Sequence, residues 1–304
     1  MEMRSLRDPS LRVSRIALGT GPIGNMFVNK ATDAGAADAI QAAWEGGVRF
    51  FDTAPFYGAG LAERRLGAGL AGIPRNQFIL STKVGRLVLP GGSVVEAYRR
   101  DGVLRSIEES LARLRTDYVD IVLIHDPDHH YRAALNEMYP VLADLRSQGV
   151  IKAVGAGMNQ WEMLKAFALH ADFDCFLLAG RYTLLEQGAA PFLELCQARG
   201  IDLFLGGLFN SGILAVGARP GAWYNYSPAP EAVIDRVRRL EAVCARHGVS
   251  LRSAALQFPL AHPAVTSLVL GAVSRAEVEE NLAAVQTPLP PALWDDLRHA
   301  RAIS

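Results

Sequence analysis

The stretch EGGVRFFDTAPFYG, residues 45–58, contains the pattern that decides the fold. A helical pattern ends at a glycine pair, a short apolar run follows, and polar side chains come directly after that run. Glycine just beyond a helix adopts the left-handed conformation that ends the helix. The same junction recurs as SQGV at 147–150, ARGI at 198–201 and RHGV at 246–249, and in each a β-branched residue follows the glycine at once. This repetition predicts helices that alternate with strands.

Short apolar runs between the helical patterns are the candidate strands. They are apolar throughout rather than alternating, which is typical of parallel strands buried on both faces. About eight β/α units in 304 residues, without a Pro/Ser-rich linker, favour a (β/α)8 TIM barrel over a doubly wound sheet, and we expect residues 1–304 to form one domain. The runs are RIALG (15–19), VRFFDT (48–53), FILSTKV (78–84), YVDIVLIHD (118–126), IKAVGAG (151–157), CFLLAGR (175–181), DLFLGG (202–207) and VTSLVLGA (265–272).

Both termini add elements outside this repeat. The segment at 2–14 predicts an N-terminal β-hairpin that turns at Asp8, Pro9 and Ser10. PALWDDLRHARA at 291–302 predicts an extra C-terminal helix.

Composition excludes several classes of partner. Lys plus Arg total 31 and Asp plus Glu total 31, so no net charge attracts nucleic acid or an anionic membrane. No apolar run reaches the ~20 residues that span a bilayer, and the N-terminus lacks a signal-peptide core. Cys175, Cys196 and Cys244 stand singly in apolar patterns, as buried free thiols do in a reducing compartment. We therefore expect a cytoplasmic protein.

Ionisable side chains stand where predicted strands end, and active sites of such barrels lie at these ends. Each has an ordinary structural explanation when taken alone. Jointly they indicate a site, because apolar strands that end in ionisable groups are costly unless those groups pair. Asp52 ends VRFFD, Lys83 ends FILSTK, His125 ends YVDIVLIH, and Tyr57 follows in APFYG.

The motif GTGPIG at 19–24 matches the G-x-G-x-x-G pattern of a Rossmann turn, but its context does not. A Rossmann turn opens directly into a helix, whereas here the helical pattern begins near Ala34. The acidic residue at about the expected distance, Asp38, falls inside that helix. We therefore expect the glycines to let backbone approach a ligand closely.

The run HDPDHH at 125–130 raises the alternative of a metal-dependent barrel hydrolase. The other strand ends supply no matching carboxylate or histidine pair. We therefore expect no metal at the site.

The motifs FDTAPFYGAGLAERRLG, STKVG and DIVLIHDPD resemble the aldo-keto reductase superfamily. Within it, GMNQW, LLAGRYTLL, GLFNSGIL and LQFPLAHP resemble the branch of D-threo-aldose 1-dehydrogenases, or L-fucose and galactose dehydrogenases. The resemblance implies a barrel that binds a nicotinamide cofactor without a Rossmann turn. It also implies that Tyr57 is the general acid/base, supported by Lys83, Asp52 and His125.

The resemblance implies the cofactor contacts as well. Asn159 matches the asparagine that holds the nicotinamide carboxamide, and GAVSRAEVEEN matches the adenosine-phosphate loop. We expect NAD to be preferred over NADP, because Glu277 and Gly271 stand where NADPH-preferring relatives carry basic residues and only Arg275 remains. The expected contacts are Gly21, Asp52, Asn159, Gly206, Gly271, Ser274, Arg275, Glu280 and Asn281.

The branch implies oxidation of an aldose of the L-fucose, D-arabinose or galactose type at C1 to the lactone. Trp161, Trp223, Tyr224 and Tyr226 are candidate sugar-stacking rings. Two enzymatic alternatives stay open, a pyridoxal 4-dehydrogenase and a general NADPH-dependent aldehyde or ketone reductase. A non-enzymatic barrel that senses nicotinamide redox state is a third. The sequence does not indicate the oligomeric state.

Overall fold

A closed barrel of eight parallel strands forms the centre of the computed structural model, which describes residues 1–27, 30–300 and 303. In barrel order the strands are Ile16–Gly19, Phe50–Asp52, Ile79–Val84, Ile121–His125, Ala153–Met158, Cys175–Ala179, Asp202–Gly206 and Val265–Gly271, which confirms the predicted (β/α)8 fold and all eight predicted strands. The strands are β1 Met3–Ser5, β2 Arg12–Ser14, β3 Ile16–Gly19, β4 Phe50–Asp52, β5 Ile79–Val84, β6 Arg86–Val88, β7 Val94–Glu96, β8 Ile121–His125, β9 Ala153–Met158, β10 Cys175–Ala179, β11 Asp202–Gly206, β12 Trp223–Tyr224, β13 Ser227–Pro228 and β14 Val265–Gly271.

Helices surround the barrel and end as the sequence predicts. The left-handed glycine of each recurring junction has a positive φ, at Gly47, Gly149, Gly200 and Gly248. The helices are α1 Asp33–Glu45, α2 Leu61–Gly69, α3 Arg100–Leu114, α4 Tyr131–Ala133, α5 Tyr139–Ser147, α6 Trp161–His170, α7 Ala190–Arg199, α8 Ile213–Val216, α9 Glu231–Arg246, α10 Leu251–Leu260, α11 Arg275–Gln286 and α12 Ala292–His299.

The junction RHGV differs from the other three, because a helix rather than a strand follows it. Helix α9 ends at Arg246, and α10 begins at Leu251. The side chain of Ser250 accepts a hydrogen bond from the amide of Ser253 and so caps α10. A capping serine directly after Val249 thus overrides the strand preference of that valine, and the expectation of a strand here was wrong.

The predicted N-terminal hairpin closes the bottom of the barrel. Strands β1 and β2 pair antiparallel, and the Asp8 carboxylate accepts from the amide of Ser10 at 2.8 Å in the turn. Leu6, Leu11 and Val13 join one buried cluster with the inward-facing apolar side chains of the lower barrel. The barrel is therefore filled from below, which leaves the carboxyl ends of the strands as the side where a ligand can enter.

The predicted C-terminal helix is present as α12, and residues 301 and 302 of its predicted span lie outside the described residues. The three cysteines are free and buried. Within the described part of the chain, no helix is long and apolar enough to cross a membrane.

Alternation along three neighbouring strands places the ionisable groups inside the barrel. Phe50, Ile79 and Ile121 belong to the inner cluster at the lower ends of β4, β5 and β8. Side chains two residues apart in a strand lie on the same face. The inward-facing residues are therefore Phe50 and Asp52 on β4, Ile79, Ser81 and Lys83 on β5, and Ile121 and His125 on β8.

Candidate active site

A buried ion pair lies at the centre of the barrel mouth. Lys83 Nζ is 2.7 Å from Asp52 Oδ2, and each side chain is only 2% exposed. Lys83 also donates to the carbonyl of Thr53 at 2.9 Å, and Ser81 Oγ donates to the second Asp52 oxygen at 2.7 Å. Burial acts to lower the pKa of Lys83, but the Asp52 carboxylate and the Tyr57 phenol outweigh it and the pKa is raised. The ammonium is therefore held charged where water is excluded.

Tyr57 follows β4 and lies beside this pair. Lys83 Nζ is 4.9 Å from the centroid of the Tyr57 ring. Burial raises the pKa of the Tyr57 phenol above its ordinary value, and the Lys83 ammonium opposes that shift. At neutral pH the group is a neutral phenol that can donate a proton, close to a fixed positive charge that favours the phenolate.

His125, at the end of β8, completes the cluster. Its ring packs edge-on against the Tyr57 ring with centroids 5.6 Å apart. Burial, with smaller contributions from Lys83 and Arg86, lowers the pKa of His125 well below its ordinary value. The imidazole is therefore neutral and can form a hydrogen bond to a substrate oxygen without carrying charge. The structure thus brings together the four side chains that the sequence indicated.

The glycine motif at 19–24 supports the Tyr57 loop. Pro22–Gly24 forms a single 3-10 turn, and α1 begins only at Asp33, so this segment is no Rossmann turn. A Cβ on Gly24 would lie 2.9 Å from the carbonyl group of Tyr57, and a Cβ on Gly58, whose φ is +63°, would overlap the carbonyl of Gly24. The glycines thus let two backbone segments touch.

Small residues and, within the described part of the chain, unpartnered polar groups lie at the floor of the mouth. A Cβ on Gly157 or Gly206 would make only ordinary contacts at 3.5 Å or more, so neither glycine is pressed against its neighbours. Nearby, the buried hydroxyls of Thr20 and Thr53 have no hydrogen-bond partner among the described residues. Asn159, at the end of β9, donates to the carbonyl of Ala179 at 2.8 Å and has its amide oxygen left for a ligand. These features fit a nicotinamide ring and its ribose.

The predicted adenosine loop joins β14 to α11. Ser274 caps α11, and Glu277 Oε2 accepts from the amide of Val273 at 2.9 Å. Arg275 is already paired, with Glu45 at 2.7 Å and with Glu279 at 3.5 Å. The N-terminal end of α11, which would attract a phosphate, therefore carries the Glu277 carboxylate, and Arg275 is engaged by other carboxylates.

Other predicted cofactor residues have structural partners. Arg252 contacts Glu280 at 3.2 Å and donates to the buried Asn281 at 2.8 Å. Gly271 lies against Pro22, since a Cβ there would be 2.5 Å from that ring, and Gly21 lies beside Phe27. These contacts join the adenosine loop to the first loop of the barrel.

The residues of HDPDHH point to different neighbours. Asp126, with φ of +40°, lies 3.5 Å from His125 Nε2, whereas His130 stacks on Tyr98 and contacts Glu96 at 2.9 Å. Among the described residues no group of three or more His, Cys, Asp or Glu side chains could hold a metal ion. The sequence analysis missed Asp126 and Arg86, which lie beside His125 and each other. The available signals were that Asp126 directly follows His125 and that Arg86 comes three residues after Lys83.

The four candidate sugar-stacking rings are dispersed. Trp161 packs against the main core, and Tyr224 donates to Glu186. Trp223 and Tyr226 are exposed by 46% and 57% on the loop that carries β12 and β13. The two exposed rings are free for contacts with a ligand, and the other two are engaged in packing or hydrogen bonding.

Comparison with known proteins agrees with this geometry. The chain is 37% identical to D-threo-aldose 1-dehydrogenase from Pseudomonas sp, with 96% of this chain and 95% of the relative covered. It is 35% identical to pyridoxal 4-dehydrogenase from Microbacterium luteolum, over 100% and 98% of the two chains. The fold matches that of the aldo-keto reductase AKR11C1 from Bacillus halodurans with a TM-score of 0.81, at 24% identity and with 100% and 97% coverage.

The aldo/keto reductase family profile matches residues 15–302, which include the whole barrel. Members of this family are oxidoreductases that use nicotinamide cofactors on small aldehydes or sugars. Since both the family profile and two relatives above 30% identity extend over nearly the full sequence, the chain belongs to the aldo/keto reductase family.

Proposed function

We propose that the protein oxidises an aldose at C1 to the lactone, with NAD as the preferred hydride acceptor. The observation that carries this proposal is the contact of the buried Lys83–Asp52 pair with Tyr57 at the open end of the barrel. A neutral phenol beside a fixed ammonium is suited to exchange a proton with an alcohol or carbonyl oxygen. The similarity to D-threo-aldose 1-dehydrogenase supports the substrate class.

In this proposal Tyr57 is the proton-transfer group. In the reductive direction its phenol donates a proton to the carbonyl oxygen. In the oxidative direction its phenolate accepts the proton of the anomeric hydroxyl, and Lys83 stabilises that phenolate. His125, being neutral, hydrogen-bonds the same oxygen and fixes its orientation. The bound nicotinamide supplies the hydride chemistry.

The proposed cofactor contacts follow the loops at the mouth. Asn159 binds the carboxamide, and Gly21, Asp52 and Gly206 line the nicotinamide end. At the other end Gly271, Ser274, Arg275, Glu280 and Asn281 bind the adenosine. The carboxylate of Glu277 at the start of α11 and the engagement of Arg275 by Glu45 support a preference for NAD, because a 2′-phosphate would meet a like charge and the described cation of this loop is already paired.

A screen of NAD+ and NADP+ reduction with L-fucose, D-arabinose and D-galactose tests the proposal. We expect NADH and a lactone product from at least one of these sugars. Absence of turnover with every sugar, by a protein that binds NADH, would overturn the proposed substrate class.

Oxidation of pyridoxal is the second candidate function. It is supported by the 35% identity to pyridoxal 4-dehydrogenase over the whole chain. Pyridoxal is included in the same screen, and a kcat/KM for pyridoxal above that of every sugar would favour this second candidate.

A further inference from the structure

Arg86 and Asp126 form a polar pair beside the proposed catalytic residues. Arg86 is the first residue of β6, three positions after Lys83, and its guanidinium carbon lies 4.6 Å from the centroid of the Phe56 ring. Asp126 directly follows His125 at the end of β8. The two side chains are 21% and 31% exposed, so both are partly open to a ligand.

The backbone at this pair is held in place. Tyr98 donates to the carbonyl oxygens of His125 and Asp126 at 2.6 and 2.8 Å. Asp126 has a left-handed φ of +40°, which redirects the chain directly after the strand. The position of the Asp126 carboxylate therefore follows from the barrel and from Tyr98 rather than from a flexible loop.

The Arg86 guanidinium hydrogen-bonds the Tyr98 hydroxyl, and the distances to Asp126 leave part of its hydrogen-bonding capacity unused. Arg86 Nη2 is 3.9 Å from Asp126 Oδ2, beyond the roughly 2.7–3.2 Å of a hydrogen bond. His125 Nε2 is 3.5 Å from that same oxygen, and the buried Arg86 Nε has no partner among the described side chains and backbone. A donor and an acceptor thus lie side by side next to the imidazole without bonding each other.

A hydroxyl group matches this arrangement, because it accepts from a guanidinium and donates to a carboxylate at the same time. An anionic group would bind Arg86 but would be repelled by Asp126, and an apolar group would leave both without partners. The neighbouring His125 is the residue proposed to hold the reacting oxygen. The bound hydroxyl therefore belongs to the carbon next to the reacting one.

We propose that Arg86 and Asp126 form a specificity subsite that binds the hydroxyl adjacent to the reacting carbon of an α-hydroxy aldehyde or the corresponding sugar. This subsite rests on the proposed oxidoreductase function of the Tyr57 site, and it names the substrate class that the site selects. The guanidinium donates to the substrate hydroxyl, and the carboxylate accepts its proton in a hydrogen bond.

The test compares NADH-dependent reduction of 2-hydroxypropanal, 3-hydroxypropanal and propanal, which share one carbon chain. The parent protein is expected to favour 2-hydroxypropanal over propanal by roughly tenfold to hundredfold in kcat/KM, and to favour 3-hydroxypropanal much less. Asp126→Gly suits the positive φ and removes the carboxylate, and Asp126→Asn keeps the shape but loses the charge. In both variants, and in Arg86→Met, the preference should fall while propanal reduction stays within about threefold.

Asp128→Asn is the matched control, because it removes one negative charge from the same loop and leaves both members of the pair. It should retain the preference. A proportional loss with all three aldehydes in the Asp126 and Arg86 variants would overturn the subsite, since it would show a purely structural role. A parent protein that reduces propanal as well as 2-hydroxypropanal would overturn it too, with proton transfer by Tyr57 left intact. Selective reduction of 2-hydroxypropanal without oxidation of any aldose would support the subsite and contradict the lactone-forming function.

Discussion

The carbonyl oxygen of Gly24 lies directly against the Cα of Gly58, in the space that a side chain on Gly58 would need. The amide of Gly58 also donates to the sulfur of Met26 at 3.3 Å. Arg65, in helix α2, donates to the carbonyl of Ile23 at 2.6 Å. The loop after β3 therefore forms a wall behind the loop that carries Tyr57. The glycine-rich sequence is needed for this contact.

Gly24→Ala tests this contact. The added Cβ would meet the Tyr57 carbonyl group at 2.9 Å, so the tyrosine loop must shift. A displacement of about 1 Å at a reacting group lowers kcat by up to about 10²-fold. We expect that loss in kcat with nearly unchanged affinity for NADH, measured by fluorescence titration. Gly188→Ala is the control, since nothing lies within 4 Å of a Cβ at that position, and equal activity of the two variants would argue against the supporting role.

Tyr57→Phe should abolish proton transfer while the ring remains in place. We expect kcat to fall by about 10²- to 10⁴-fold, with cofactor affinity preserved. Burial raises the pKa of Tyr57, so the parent protein should oxidise sugars faster as pH rises through the alkaline range and reduce aldehydes faster on the acid side of that pKa. The variant should lose this pH dependence. Retention of kcat near the parent value would assign the acid/base role to another group, with His125 examined first.

Lys83→Met separates the role of charge from that of packing. Removal of the ammonium leaves Asp52 buried without its partner, and breaking such a pair costs about 3–5 kcal/mol of stability. It also removes the charge that lowers the pKa of Tyr57, so oxidation should require more alkaline pH. The double variant Lys83→Met with Asp52→Asn should regain stability in denaturant unfolding without regaining activity at neutral pH. Recovery of activity along with stability would contradict the electrostatic role of Lys83.

The sequence predicted the barrel and the four clustered side chains because both follow from local pattern. Left-handed glycines mark where helices end, and alternation along β4, β5 and β8 carries Asp52, Lys83 and His125 to one end. The contact of Gly24 with Gly58 was not predictable, because it depends on how two loops pack in space. The neighbours of the HDPDHH residues were not predictable for a similar reason, since His130 contacts Glu96 whereas Asp126 stays beside His125.

Cofactor choice is expected to depend on Glu45. Its carboxylate holds Arg275 at 2.7 Å and so keeps the one remaining basic side chain of the adenosine loop away from a phosphate. The parent protein should favour NAD+ over NADP+ by roughly tenfold to hundredfold in kcat/KM. Glu45→Gln should raise kcat/KM for NADP+ severalfold and leave that for NAD+ unchanged. Asp38→Asn removes an exposed charge from the same helix as a control, and a parent preference for NADP+ would contradict the assignment.

The titration of Asp126 should make the preference for an adjacent hydroxyl depend on pH. Burial raises the pKa of Asp126 to about 6, with Asp128 acting in the same direction and Arg86 and Lys83 opposing it. A raised carboxyl pKa means that the group is charged above about pH 6 and neutral below it. The preference for 2-hydroxypropanal over propanal should therefore be full at pH 8 and decline as pH falls through 6. The groups that face this carboxyl are Arg86, Lys83, His125, Asp128, Tyr57 and Tyr98.

Propanal serves as the internal reference, because the reduction of propanal and that of 2-hydroxypropanal depend equally on Tyr57 and on the cofactor. The ratio of the two kcat/KM values therefore reports on the hydroxyl subsite alone. His125 adds no charge in this range, since burial keeps its pKa well below the ordinary value. Asp128→Asn should move the midpoint of the ratio to lower pH, because the neighbouring charge that helps to raise the pKa is gone. Asp126→Asn should give a low ratio that is independent of pH. A ratio that changes with pH in the same way in Asp126→Asn and in the parent would assign the titration to another group.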